Sequence, residues 1–134
     1  MELINKSETI RSEDDLLLCC SRTRVDPVRI ERIEWLLGKD IDWPYLIRTA
    51  MEHGLIPLLY KNLKETCPDA VPKEIIRQIR NCFLINASHN LLLNEELLQL
   101  LRLFENHGIS GIPYKGPTLA ASAYGDVTLR QFCD

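Results

Sequence analysis

Apolar side chains recur every three or four positions through most of this chain, and local start and stop signals cut the pattern into helices. Ser12 followed by Asp15 has the form of a capping box, predicting a helix start ahead of Leu16, Leu17, Leu18, Cys19 and Cys20. Asp26-Pro27 predicts a second start: an acceptor side chain at the N-cap, then a proline where no amide partner is needed. That helix carries Ile30, Ile33, Leu36 and Leu37 on one face and stops near Gly38. Asp42, with Pro44 in the first turn, opens a third that buries Leu46, Ile47 and Ala50 and ends at Gly54. A fourth runs from near Pro57 to Cys67-Pro68. A fifth helical segment extends from about Pro72 to His107, with Gly108 as its stop and a stripe of Leu93, Leu97, Leu100, Leu101 and Phe104. Its middle, Asn86-Ala87-Ser88-His89-Asn90, consists mostly of weak helix formers. Two readings stay open there: one helix of about 50 Å, or two joined by a kink.

After Gly108 the pattern changes. Residues 109–116 alternate and end in a turn, predicting a short strand, and residues 117–124 fit a short helix opened by a proline. Residues 127–134 hold β-branched and aromatic side chains and predict a second strand or the approach to one. Two strands make only a marginal sheet, so such a unit needs further strands. The fold expected is mainly α with a small α/β C-terminal portion. It divides into a flexible N-terminus (1–11), a helical domain (12–107) and the truncated start of an α/β domain (108–134).

Composition narrows the classes. The chain has 134 residues, 46% of them hydrophobic, which suits a single domain with a real core and excludes disorder. The net charge of −3 gives no drive toward nucleic acid. Apolar runs such as 16–20 and 91–93 are too short for a bilayer, and the acidic N-terminus is not a secretory signal. A cytoplasmic protein without a membrane partner is expected. Its five cysteines (19, 20, 67, 82 and 133) form no Cys-x-x-Cys pair and are expected to be buried free thiols.

A cation and a glycine at the start of a helix, Lys115-Gly116, suit an anionic phosphate, because helix N-terminal amides point outward there. The order is the reverse of a P-loop's Gly-Lys. Alone, the motif is a weak signal and reads first as a tight strand-to-helix turn with a solvated lysine.

The wider pattern is more specific. His107-Gly108-Ile109, Lys115-Gly116, Tyr124-Gly125-Asp126, Leu129-Arg130 and Asp134 resemble the uncharacterised nucleotidyltransferase family of the polymerase-β-like superfamily. Upstream, Leu17-Leu18-Cys19-Cys20, Ile41-Asp42-Trp43, His53-Gly54-Leu55, Pro57-Leu58-Leu59-Tyr60 and Asn86-Ala87 extend the resemblance. It implies metal-dependent transfer of a nucleotidyl group from a nucleoside triphosphate to an acceptor, with Mg²⁺ as cofactor. By carry-over, Gly116, Pro117 and Thr118 occupy the phosphate turn, and Lys115 and Arg130 contact phosphate. Asp134 is the catalytic carboxylate and first metal ligand. Pro117 departs from the superfamily, which has serine there, and leaves Thr118 to supply the hydroxyl. A second carboxylate is expected at position 136, outside the 134 residues. The chain is therefore expected to be an N-terminal part of such an enzyme, inert alone and binding Mg²⁺ weakly or not at all.

Lys115 and Arg130 balance Asp126 and Asp134, which does not favour a polymeric acceptor. The alternative is a non-enzymatic helical interaction module, with exposed apolar surface that supports a homodimer. Of the remaining residues, His53, His89 and His107 are read as structural, and Asp14 and Asp15 as capping charges. Trp35, Trp43, Tyr45 and Tyr60 are read as core. Asn86, Ser88 and Asn90 either line a cleft or satisfy backbone groups at a kink.

Overall fold

A computed structural model describes residues 10–113 and 116–130. Helix starts follow the caps. Asp26 accepts the Arg29 amide at 2.9 Å and opens α2 (Pro27–Leu37), while Asp42 accepts the Tyr45 amide at 3.2 Å and opens α3 (Trp43–Glu52). The first helix, α1 (Ser12–Cys20), starts differently from the expected capping box: its N-cap is Arg11, and no side chain caps it. The acids of its first turn are used across helices instead. Buried Glu13 accepts the Asp42 amide at 2.7 Å, Asp14 accepts from the Tyr45 hydroxyl at 2.9 Å, and Asp15 accepts from Arg32 Nη2 at 2.6 Å. Asp14 and Asp15 are thus ties between α1 and its neighbours as well as first-turn charges.

Two further helices, α4 (Ile56–Thr66) and the first part of α5 (Lys73–Asn106), complete a bundle. Leu16, Ile33, Leu36, Leu46, Leu59, Leu63 and Ile79 meet in one core, fully or almost fully buried. Cys19, Cys20 and Cys67 are buried free thiols within it, and Cys82 is half-buried. Burial pushes the Cys20 thiol up to about 12, so it stays protonated and unreactive at neutral pH. Cys133 lies outside the described residues. Tyr60 belongs to this core, 4.7 Å from the Phe83 ring, and Trp43 packs on its edge. Tyr45 is half-buried. Trp35 corrects the expectation. It is 53% exposed, with the Lys39 ammonium 3.8 Å and the Arg32 guanidinium 4.7 Å from its ring, an arrangement stable in water through cation–π attraction.

α5 is one helix of 34 residues, which settles the two readings of its middle. Ile75, Ile76, Ile79 and Phe83 join the bundle core. Beyond them only Ala87 and Asn90 are buried, whereas Leu91, Leu92, Leu98, Leu100 and Leu103 are exposed. In the expected stripe, Leu93, Leu97, Leu101 and Phe104 are half-buried. The last helix, α6 (Gly116–Tyr124), packs on α5.

No strand is present among the described residues. Residues 109–113, expected to be extended, fold back on the end of α5. The Ile109 amide donates to Phe104 O at 2.8 Å, and Gly111 lies so close that a Cβ there would come within 3.0 Å of Phe104. Residues 127–130 form turns rather than a second strand. A strand exists only against a neighbour that takes up its amides and carbonyls, and none of the described residues provides one. The flexible N-terminus was expected over 1–11; residues 1–9 lie outside the described residues, and Ser12 already begins α1. Among the described residues no helix is long and apolar enough to cross a membrane.

Candidate functional site

The segment from Gly116 to Arg130 is a helix followed by a closed turn. Gly116 has φ +52°, and, its chain neighbours and own helix backbone aside, no described residue lies within 4 Å of the place a Cβ would take. The requirement for glycine is therefore torsional. Pro117 follows without an amide, so the donors of the first turn are the backbone amides of Thr118 and Leu119 and the Thr118 hydroxyl. Amides in a first helical turn have no intrahelical acceptor, and the helix dipole adds positive potential there. Gly116 and Pro117 are buried and Thr118 is exposed.

At the other end, Gly125 at φ +73° carries the chain off α6, its amide donating to Ala121 O at 3.0 Å. Asp126 Oδ1 then accepts from both the amide (2.8 Å) and the hydroxyl (2.7 Å) of Thr128, an Asx turn. Leu129 is buried beneath it. The Gly-Asp-x-x-Leu-Arg pattern is in this way a self-contained turn, each of its first members with a local geometric task.

The turn is pinned to α5 by Asn90. This side chain is fully buried, and its Nδ2 donates to Val127 O at 2.8 Å and Arg130 O at 2.5 Å. Neither earlier reading of Asn90 describes this: it satisfies carbonyls about forty positions away, not those of its own helix. Asn90 Oδ1 and Asn86 Nδ2 are buried without a hydrogen-bond partner among the described residues. Ser88 and His89 are exposed.

Gly116 and Thr118 thus lie at the start of α6, and Arg130 beyond its end with its carbonyl on Asn90. Lys115 and Asp134 lie outside the described residues. Asp126 is already engaged with Thr128, and no cluster of three His, Cys, Asp or Glu among the described residues could hold a metal ion. His53 and His107 are the C-caps of α3 and α5, and His107 Nδ1 lies 2.9 Å from Leu103 O, as a structural role requires. Sequence reasoning missed the Asn90 clamp and the burial of Glu13. The signal for Asn90 was present: a carboxamide directly ahead of the run Leu91-Leu92-Leu93.

Residues 39–134, from just after α2 onward, match the family model described as uncharacterised nucleotidyltransferase. No curated protein and no solved structure matches the chain. With well over half of its length inside that match, the chain belongs to the family of uncharacterised nucleotidyltransferases.

Proposed function

We propose that this chain carries the triphosphate-binding turn of a nucleotidyltransferase of the polymerase-β-like superfamily. Gly116 is the observation that carries the reading: a positive-φ glycine opening a helix inside the family match, with no described residue beyond its chain neighbours and own helix within 4 Å of a Cβ position. A phosphate needs that combination, since the backbone must come close and its amides must face the ligand. In the reaction, an acceptor hydroxyl oxygen attacks the α-phosphorus of a nucleoside triphosphate and its proton passes to water. The bond to the bridging oxygen breaks, and pyrophosphate leaves with the electron pair. The Gly116–Thr118 turn holds the phosphates, the Thr118 hydroxyl donates to one of them, and Lys115 and Arg130 offset their charge. Asp134 supplies one carboxylate for Mg²⁺, which when bound neutralises charge on the phosphates. The acceptor is not assigned. Residues 12–107 act as a helical scaffold.

The test is an amide-resolved NMR titration of the full chain with MgATP. Shifts at Gly116, Thr118 and Leu119, with a Kd of about 1 mM, are expected, because one carboxylate and a few amides give only weak binding. Shifts confined to α1–α4, or none, overturn the reading. The 134-residue polypeptide alone is expected to release no pyrophosphate from a nucleoside triphosphate; Mg²⁺-dependent release abolished by Asp134→Ala would refute that.

A second reading draws on the exposed Leu91, Leu92, Leu98, Leu100 and Leu103 of α5. On that reading the chain is an interaction module that self-associates through this face. A concentration-dependent mass in light scattering supports it, and a monomer at every concentration rejects it.

A further inference from the structure

Resting on that nucleotidyltransferase reading, we infer that Asn90 is a positioning residue for the transfer site. Through its carboxamide it fixes the backbone of residues 127–130, which carries Arg130 and leads four positions on to Asp134. Both of its Nδ2 hydrogens are committed, one to each end of this short turn, and both acceptors are main-chain carbonyls. The clamp therefore sets backbone position whatever side chains stand at 127 and 130. Asn90 lies outside the bundle core, whose α5 contribution ends at Phe83, so the core does not call for it. A leucine would bury more apolar surface at that position without desolvating a carboxamide. Its own Oδ1 is buried with no partner among the described residues. Burial makes the clamp rigid, since water cannot compete for the two carbonyls.

Asn62 provides the control. It is an equally buried carboxamide on α4 that donates to the Cys20 and Arg22 carbonyls at 2.6 and 2.8 Å, away from the proposed site.

The experiment compares the full chain with its Asn90→Ala, Asn90→Asp and Asn62→Ala variants. It measures helicity, amide hydrogen exchange at residues 127–130 and affinity for MgATP by NMR titration. In both Asn90 variants exchange at 127–130 rises while the helices persist, and MgATP affinity falls about fivefold or more, because the loosened segment must be ordered when the ligand binds. Asn90→Asp regains part of that affinity near pH 5, relative to the parent chain, because a buried carboxyl is protonated at about that pH and donates one hydrogen bond again. Asn62→Ala lowers thermal stability but leaves the folded chain's MgATP affinity within about twofold, its bonds being local to the bundle.

Parent-like affinity in Asn90→Ala with faster exchange overturns the inference while leaving the nucleotidyltransferase reading intact. Absence of any MgATP response in the parent chain removes that reading and this inference together. Should Asn90→Ala fail to fold, the pH dependence of Asn90→Asp decides, and a flat ratio between pH 5 and 7 counts against the clamp.

Discussion

On α4, Asn62 donates both hydrogens of its carboxamide to two carbonyls where the chain leaves α1; on α5, Asn90 does the same where the chain has left α6. The device is shared and the setting is not. Asn62 sits among Leu59, Leu63 and the rest of a core built from five helices, where burial alone fixes the surroundings. Asn90 is followed in sequence by Leu91 and Leu92, both exposed, and only Ala87 is buried nearby on its helix. In the bundle a polar clamp refines a position that packing already holds. Beside α6 it holds a turn that lies outside that core.

The contrast is sharpest for apolar truncation. Leu59→Ala, at a fully buried site, should cost about 2–5 kcal/mol in urea unfolding, whereas Leu92→Ala should stay within about 0.5 kcal/mol. Equal costs would mean that the second half of α5 is covered in solution. The carboxamides come next: Asn62→Ala should lose about 1–3 kcal/mol of global stability, by leaving two carbonyls unpaired in the core. Asn90→Ala should show itself mainly as local opening.

The smallest effect concerns Glu13. Burial pushes this carboxyl up, but the Asp42 amide, its own backbone amide and the Arg11 guanidinium outweigh that and hold it below the ordinary value of about 4.3. The unfolded chain therefore binds the proton more tightly. The stabilisation from Glu13 is complete above the ordinary value and disappears as pH falls through the lower, folded one. Glu13→Gln should cost about 1 kcal/mol at pH 7 and less at pH 3. A pH-independent difference would show that the carboxylate charge is not what matters at this joint.

What the sequence made legible follows from how far away each partner lies. Asp26-Pro27 and Asp42 with Pro44 announce their helices because an N-cap acts on an amide three residues away. The roles of Glu13, Asp14 and Asp15 were hidden because their partners stand 17 to 31 residues distant. Ser12 failed as a cap because these acids are engaged elsewhere and Arg11 takes the N-cap position. Trp35 was misplaced because an indole between two cations is stable in water, which an apolar tally misses. The residues 109–113 alternate as a strand does, yet alternation states only what a segment prefers once a neighbour exists. At the site, Gly116, Gly125 and Asp126 were readable because their tasks are local. Asn90 stood out as polar, but nothing nearby in sequence revealed that its partners are Val127 and Arg130.

The continuity of α5 has a mechanical consequence. From Ile79, gripped in the bundle, to Asn106 the helix runs about 40 Å without a break. Such a rod transmits tilt: a swing of a few degrees at its anchored end moves the far end by about 2–3 Å, while Asn90, nearer the fulcrum, shifts less than half as far. Whatever grasps the four short helices thereby steers the segment that α5 carries.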